Sequence, residues 1–219
     1  MIILTEFYCP GDEERYSELL YCFSKNLELK CVSEIYFFAN RYDIDQITAI
    51  PNYQKYGDKV RCVECTKRPT YRSFFNFAKK NIESNENIII CNSDIHFDES
   101  LELLEKVDLS DKFVMLNRYE NGKLYEVPYS QDTWVFKKGL TIDEADFNLG
   151  VPGCDNKIGY LALMKGKKII NPSLIVKSHH IHKDMSRNYK GKVEGPYLLS
   201  WPNNKLDIGC NIRIISSFN

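Results

Sequence analysis

The chain has 219 residues, 43% of them hydrophobic and 13% aromatic, which suits a globular protein with a sizeable core and excludes a disordered one. A formal net charge of −1 argues against a protein whose main task is to bind the nucleic-acid backbone. No apolar run approaches the roughly 20 residues that a membrane-spanning helix needs. The start of the sequence lacks a basic segment and a small-residue cleavage site, so we interpret residues 2–7 as a first strand and not as a signal peptide.

The eight cysteines are scattered, and several lie inside apolar runs. Cys62 and Cys65 form the only CxxC motif, which has no second CxxC at the spacing of a zinc site. Buried, reduced thiols in a cytoplasmic protein are the favoured interpretation.

The first half of the chain alternates strands and helices. Strands are predicted at residues 2–7, 33–39, 59–64 and 88–91. Asp12 can cap a helix whose apolar stripe comprises Tyr16, Leu19, Leu20, Phe23 and Leu27. Further helices are expected around residues 44–50, from the apolar stripe that begins at Tyr71, and at residues 99–107 with Asp98 as N-cap. This order predicts parallel strands with crossover helices.

The second half is less regular. Strands are predicted at residues 112–118, 133–137 and 174–182, and a helix at residues 156–165 is ended by Gly166. After residue 183 the chain is polar and contains glycine and proline, which indicates an extended tail or lid. We therefore expect a catalytic domain at residues 1–190 and a C-terminal extension at residues 191–219 that packs on it.

Polar residues follow the apolar strand at residues 88–91 abruptly. A run without alternation is typical of a strand buried on both faces of a parallel sheet. Ligands of open α/β sheets bind at the carboxyl ends of such strands, where Asn92, Ser93 and Asp94 lie. Asp94 is therefore a candidate ligand for a divalent metal that holds phosphate oxygens.

Three of the four histidines lie within residues 178–182. On a strand, His180 and His182 project from one face, where they can ligate a metal or contact phosphate. Arg187 follows one loop later as a candidate phosphate clamp.

Two further carboxylates are candidates for chemistry. Asp155 is either the N-cap of a helix or a general base held beside the ligand by the glycine-bearing loop at residues 146–153, and the sequence leaves both open. Asp132 opens a strand and can hydrogen-bond a sugar hydroxyl, while Trp134 is either a stacking surface or part of the core.

Four ordered segments together resemble glycosyltransferases of the GT-A fold. They are Asn92-Ser93-Asp94, residues 130–136, residues 150–156, and the paired histidines His180 and His182 with Arg187-Asn188-Tyr189. The likeness is greatest to a group of viral and bacterial enzymes that includes the first domain of a chlorella-virus glycosyltransferase, and it spans roughly residues 88–189. It implies an α/β protein with a single Rossmann-like mixed sheet flanked by helices.

The resemblance also implies a donor and a metal. GT-A enzymes use a DxD motif to hold Mn²⁺ or Mg²⁺ on the diphosphate of a nucleotide-sugar, here a UDP- or GDP-linked one. The matching segment, Asn92-Ser93-Asp94, carries a single carboxylate, so His182 or His180 is needed as a second ligand. The residues expected to contact the donor are Thr5, Arg68, Asn92, Ser93, Lys183 and Arg187.

The same likeness assigns a reaction. Asp155 matches the place of the base in inverting enzymes. The resemblance therefore implies an inverting enzyme, and with it the transfer of a hexose or deoxyhexose to a hydroxyl of a glycan acceptor. A non-catalytic nucleotide-sugar- or glycan-binding module of a longer transferase is the alternative. A metal-dependent phosphoesterase that uses Asp94, His180 and His182 ranks third, because such metals usually gather two or more carboxylates.

Overall fold

A mixed β-sheet runs through the protein in a computed structural model that describes residues 1–182 and 191–218. Its strands are β1 (Ile2–Glu6), β2 (Glu34–Ala39), β3 (Val60–Glu64), β4 (Asn87–Cys91), β5 (Ile95–Phe97), β6 (Lys112–Glu120), β7 (Lys123–Leu124), β8 (Gln131–Lys137), β9 (Lys168–Ile170) and β10 (Ser178–His180). Within these ranges the strand order is β3-β2-β1-β4-β8-β6-β10-β5, and β7 and β9 also pair with β6. The first four strands of this order are parallel, whereas β8 is antiparallel to both β4 and β6.

Helices cover the sheet on both faces. They are α1 (Glu13–Glu28), α2 (Arg41–Thr48), α3 (Pro51–Lys55), α4 (Tyr71–Asn81) and α5 (Cys154–Met164), with a 3₁₀ helix at Glu99–Leu104. The predicted N-caps Asp12 and Asp98 are confirmed, since each side chain accepts a backbone N–H in the first turn of its helix. Thr70 caps α4 in a reciprocal pair with Ser73.

The apolar run of β4 is buried along its whole length. Ile89 and Cys91 belong to the hydrophobic cluster that contains α1, and Ile88 and Ile90 belong to the cluster on the other face, which contains α4 and α5. Both faces of this strand are therefore covered, which explains why its sequence shows no polar alternation.

Two predicted elements are shorter than expected. The strand predicted at residues 174–182 is wrong over most of its length, because the carbonyl of Pro172 accepts the N–H groups of Ile175 and Val176 in a turn and only β10 pairs. The helix predicted at residues 99–107 is a 3₁₀ helix that ends at Leu104.

The expectation of an extended tail or lid is wrong for much of the C-terminal segment. The strands β11 (Tyr197–Ser200) and β12 (Ile212–Ile215) form an antiparallel hairpin. Leu198 is completely buried and faces Gly159 of α5, so the hairpin covers that helix. The division of the chain into units at residues 190 and 191 stays a prediction. No helix in the described ranges is both long and apolar enough to cross a bilayer.

Candidate functional site

A cleft of about 690 Å³ opens at the carboxyl ends of β1 and β4, a volume in the range of small-molecule sites. Its walls come from the turn after β4, the start of β8, the loop that leads into α5, and the segment after β10. Every described candidate residue except Thr5 lines this cleft: Arg68, Asn92, Ser93, Asp94, Asp132, Asp155, His180 and His182.

Asp94, His180 and His182 form a compact cluster in the cleft. Strand β10 pairs antiparallel with β5 and the N–H of Ile181 donates to the carbonyl of Asp94, so the two histidines flank that carboxylate. His180 Nε2 lies 3.4 Å and His182 Nδ1 3.8 Å from Asp94 Oδ2. One ligand atom from each residue lies within 4.8 Å of the others, which is close enough for the three to hold one cation.

The Asp94 carboxylate is held in its charged form. Burial alone raises the pKa of this 7% exposed residue, but hydrogen bonding and charge from His180, together with Arg15, outweigh burial and hold the pKa of Asp94 well below its usual range. Arg15 Nη2 lies 2.5 Å from Asp94 Oδ2. The carboxylate is therefore ionised at neutral pH, as a metal ligand must be.

The two imidazoles have different electrostatic surroundings. Burial lowers the pKa of His180. The hydrogen bond and the charge of Asp94 raise this pKa by a larger amount, so the net shift is upward. Burial and the positive charge of Arg15 lower the pKa of His182, which favours the neutral imidazole that a metal needs as ligand.

One oxygen of the cluster has no protein partner. Asp94 Oδ1 is buried and receives no hydrogen bond from residues 1–182 or 191–218. A buried carboxylate oxygen without a partner is costly, and a cation beside two imidazoles is a chemically suitable partner. The donor set therefore fits a divalent metal such as Mn²⁺.

Asp132 lies next to the turn after β4 because β8 pairs antiparallel with that strand. Its Oδ1 accepts a hydrogen bond of 2.8 Å from Asn92 Nδ2, and its Oδ2 accepts one of 3.2 Å from Arg118 Nη1. Trp134, two residues on, is 1% exposed and packs edge-on against Tyr71, so it belongs to the core.

Asp155 lies in the first turn of α5, and the N-cap interpretation of this residue is wrong. The N-cap is Gly153, whose backbone has the left-handed φ of 84° and whose position provides no side-chain cap. Burial, followed by the charge of Asp132, raises the pKa of Asp155 to about 7, although backbone N–H groups of Asn156 and Gln131 oppose the shift. A carboxylate with this pKa can accept a proton near neutral pH.

Solved structures share this arrangement of strands and helices. The TarS 1–349 fragment from S. aureus, determined with UDP-GlcNAc, is 13% identical with a TM-score of 0.59, over 88% of this chain and 61% of that one. GalNAc-T7 with UDP, GalNAc and Mn²⁺ is 10% identical with a TM-score of 0.57, over 88% of this chain and 44% of that one. PcManGT from Pyrobaculum calidifontis, a mannosyltransferase with GDP-Man and Mn²⁺, is 13% identical with a TM-score of 0.54, over 86% of this chain and 58% of that one.

The fold is GT-A. No protein-family model matches the sequence, and no curated protein matches it by sequence. The chain spans about three fifths or less of each of these three structures. Nucleotidyltransferases are also among the proteins of similar structure. The expected likeness to a chlorella-virus enzyme rests on the sequence motifs alone.

The remaining donor-contacting candidates of the GT-A resemblance differ in their positions. The Thr5 hydroxyl donates to the carbonyl of Cys91 at 2.8 Å, between two strands of the sheet, and Thr5 does not line the cleft. Arg68 makes a two-pronged ion pair with Glu6 and donates to the carbonyl of Leu149 at 2.7 Å. Lys183 and Arg187 lie outside the described residues.

Two arginines of the GT-A cleft were missed by sequence reasoning. Arg15 contacts Asp94, and Arg118 joins Asp132 to Glu120. Neither lies in a motif: Arg15 follows the cap of an ordinary amphipathic helix, and Arg118 ends a predicted strand. Neither position carries a local sequence signal of its partner.

Proposed function

We propose that the protein is a metal-dependent glycosyltransferase that moves a hexose or deoxyhexose from a UDP- or GDP-linked donor to a hydroxyl of a glycan, with inversion. The observation that carries this proposal is the meeting of Asp94, His180 and His182 in one cleft with Asp155. A cation-binding cluster and a carboxylate of raised pKa are the two groups that such a transfer needs.

On the donor side, Asp94, His180 and His182 hold Mn²⁺ or Mg²⁺. The metal, when bound, neutralises negative charge on the leaving nucleoside diphosphate. Asn92 and Ser93 line the cleft beside Asp94 and contact the donor. Roles for Thr5, Arg68, Lys183 and Arg187 at the nucleotide and its phosphates stay predictions.

On the acceptor side, Asp155 takes the proton of the attacking hydroxyl. The acceptor oxygen then bonds to the anomeric carbon while the bond from that carbon to the diphosphate breaks, and attack from the opposite face inverts the configuration. Asp132 accepts a hydrogen bond from a sugar hydroxyl. Tyr129 and Phe218 also line the cleft, with ring centroids 5.9 Å apart, and offer stacking faces for a sugar ring.

The neighbours support a donor of this class by fold alone. TarS was determined with UDP-GlcNAc and PcManGT with GDP-Man and Mn²⁺, and both share the GT-A fold with this chain. Because the chain spans about three fifths of those proteins, action as one domain of a larger protein is part of the proposal. A cytoplasmic location also stays a prediction.

A non-catalytic nucleotide-sugar-binding module is the second candidate, and one observation favours it. The single carboxylate of the cluster already has a cationic partner in Arg15, so its charge is neutralised without a metal. Calorimetry with nucleotide-sugars and a donor-hydrolysis assay separate the two, since binding without hydrolysis or transfer supports the module.

The substitution Asp94→Asn tests the enzymatic proposal. A panel of UDP- and GDP-sugars is first screened for thermal stabilisation with and without Mn²⁺, and the stabilising donor is then used in a turnover assay. Because the amide that replaces the carboxylate carries no charge, we expect Mn²⁺-dependent turnover to be lost.

Asp143→Asn is the matched control, since Asp143 is exposed and does not line the cleft. It should turn over donor at the wild-type rate. Near wild-type, Mn²⁺-dependent activity of the Asp94 variant would falsify the assignment of Asp94 as a metal ligand.

A further inference from the structure

Arg15 contacts Asp94, the carboxylate of the candidate metal cluster. We propose that Arg15 competes with the divalent cation for Asp94, so that the metal binds tightly only when the donor diphosphate takes over the guanidinium. This inference rests on the proposed function, since it concerns the order and coupling of binding at the same site.

The competition follows from the geometry of Asp94 Oδ2. This oxygen lies 2.5 Å from Arg15 Nη2, 3.4 Å from His180 Nε2 and 3.8 Å from His182 Nδ1. A cation that took Asp94 and the two imidazoles as ligands would lie close to the guanidinium. Like charges repel each other at such short separations, and more so where the groups are largely buried, as Arg15 and Asp94 are. Oδ1 of Asp94 has no protein partner, so the contest is for the negative charge of the one carboxylate and not for a single oxygen. The guanidinium that already neutralises this charge therefore lowers the affinity for the metal.

The guanidinium has a second anchor that does not involve Asp94. Arg15 Nη1 donates to Glu18 Oε2 at 2.9 Å and to the carbonyl of Ile181 at 3.1 Å. These contacts tie Arg15 to its own helix and to the segment that follows β10. If Asp94 binds a metal, these two contacts keep the guanidinium at the wall of the cleft, and Nη2 can then donate a hydrogen bond to another group.

A diphosphate is the ligand that can accept this freed donor. Arg15 lines the cleft beside Ser93 and Asp94, and its side chain is 16% exposed, so Nη2 is within reach of an anion there. Guanidinium–phosphate contacts are strong and directional. The diphosphate also brings the negative charge that allows two cations to lie side by side. Metal and donor must then strengthen each other's binding by the same factor.

Titration with Mn²⁺ tests the competition in the absence of any donor. Free Mn²⁺ is followed by electron paramagnetic resonance as wild-type protein and Arg15→Gln are added. Because glutamine removes the charge that opposes the metal, we expect the Kd for Mn²⁺ to fall at least tenfold in the variant, equal to ~1.4 kcal/mol. The double variant with Asp94→Asn should lose this gain.

Arg72→Gln is the matched control. Arg72 also forms an ion pair, with Asp146, but does not line the cleft, so its loss should leave the Kd for Mn²⁺ unchanged. A second measurement needs no variant: in the wild type, saturating UDP or GDP should lower the Kd for Mn²⁺ at least tenfold beyond the binding of Mn²⁺ to the nucleotide itself.

The outcomes separate this inference from the function on which it rests. Equal, measurable Mn²⁺ affinities in wild type and Arg15→Gln, with no effect of either nucleotide, overturn the competition and leave the metal-dependent function standing. An absence of Mn²⁺ binding in both proteins, with and without nucleotide, overturns the metal-dependent function and this inference together.

Discussion

The surroundings of Asp155 lead to the clearest prediction about the pH dependence of transfer. Burial and the nearby charge of Asp132 raise the pKa of Asp155 to about 7. A general base works only in its ionised form, and Asp155 loses that form as the pH falls through its pKa. At saturating metal, we expect kcat/KM for transfer to fall about tenfold per pH unit below 7 and to level off above it.

The matched variants for this pH profile are Asp155→Asn and Asp143→Asn. Asp155→Asn should lower the rate of transfer by roughly 10²- to 10⁴-fold and should no longer show the fall of kcat/KM below pH 7. It should still bind the donor in calorimetry. The second should keep the wild-type profile. A wild-type transfer rate in Asp155→Asn excludes this residue as the base.

Single residues also mark where prediction from sequence reached its limit. Asp94, His180 and His182 were expected to lie together because the resemblance to GT-A enzymes implies a histidine near the end of the chain as second ligand beside the carboxylate. The contact of Arg15 with Asp94 could not be predicted, since these residues are 79 positions apart and a long, flexible side chain on a helix carries no local sign of its partner.

At the scale of the element, helix α5 depends on two glycines with left-handed backbones. Gly153 precedes the helix with φ 84°, and Gly166 follows it with φ 78°. A Cβ at Gly153 would lie 2.9 Å from Tyr197 Cε1 and 3.1 Å from the carbonyl oxygen of Val193, whereas a Cβ at Gly166 meets no described atom within 4 Å. Alanine at either position would therefore strain the backbone, but only alanine at position 153 would also clash with neighbouring atoms.

We expect Gly166→Ala to lower the free energy of unfolding by about 1–2 kcal/mol from backbone strain alone. Gly153→Ala should lose roughly 1–3 kcal/mol more, because the hairpin that carries Tyr197 must move. Urea denaturation of both variants measures the difference. Equal losses would show that the contact between the start of α5 and the hairpin contributes nothing to stability.

Elements were predictable where local chemistry decided them. The caps at Asp12 and Asp98 and the apolar run of β4 were correct, because each depends on neighbouring residues. The hairpin of β11 and β12 was missed, because its strands are short and its pairing joins residues separated by a polar loop. The strand expected at residues 174–182 was mostly wrong, because the turn that begins at Pro172 holds the backbone out of the sheet.

At the scale of the whole molecule, the sheet order assembles the cleft from distant parts of the chain. Strand β8 enters antiparallel beside β4 and brings Asp132 to Asn92, whose N–H donates to the Asp132 carbonyl at 3.2 Å. Strand β10 pairs with β5 and carries His180 to Asp94. A likeness of motifs to GT-A enzymes predicted this fold, whereas the position of β8 between β4 and β6 requires the three-dimensional structure.

The central claim is that the end of β4 and the segment after β10 together bind one divalent cation at the donor. Anomalous scattering from crystals grown with Mn²⁺ and UDP or GDP locates that cation directly. The account predicts a manganese peak bonded to Asp94, His180 and His182 and to the diphosphate. A bound nucleotide with no manganese beside it, or manganese held elsewhere in the molecule, would contradict it.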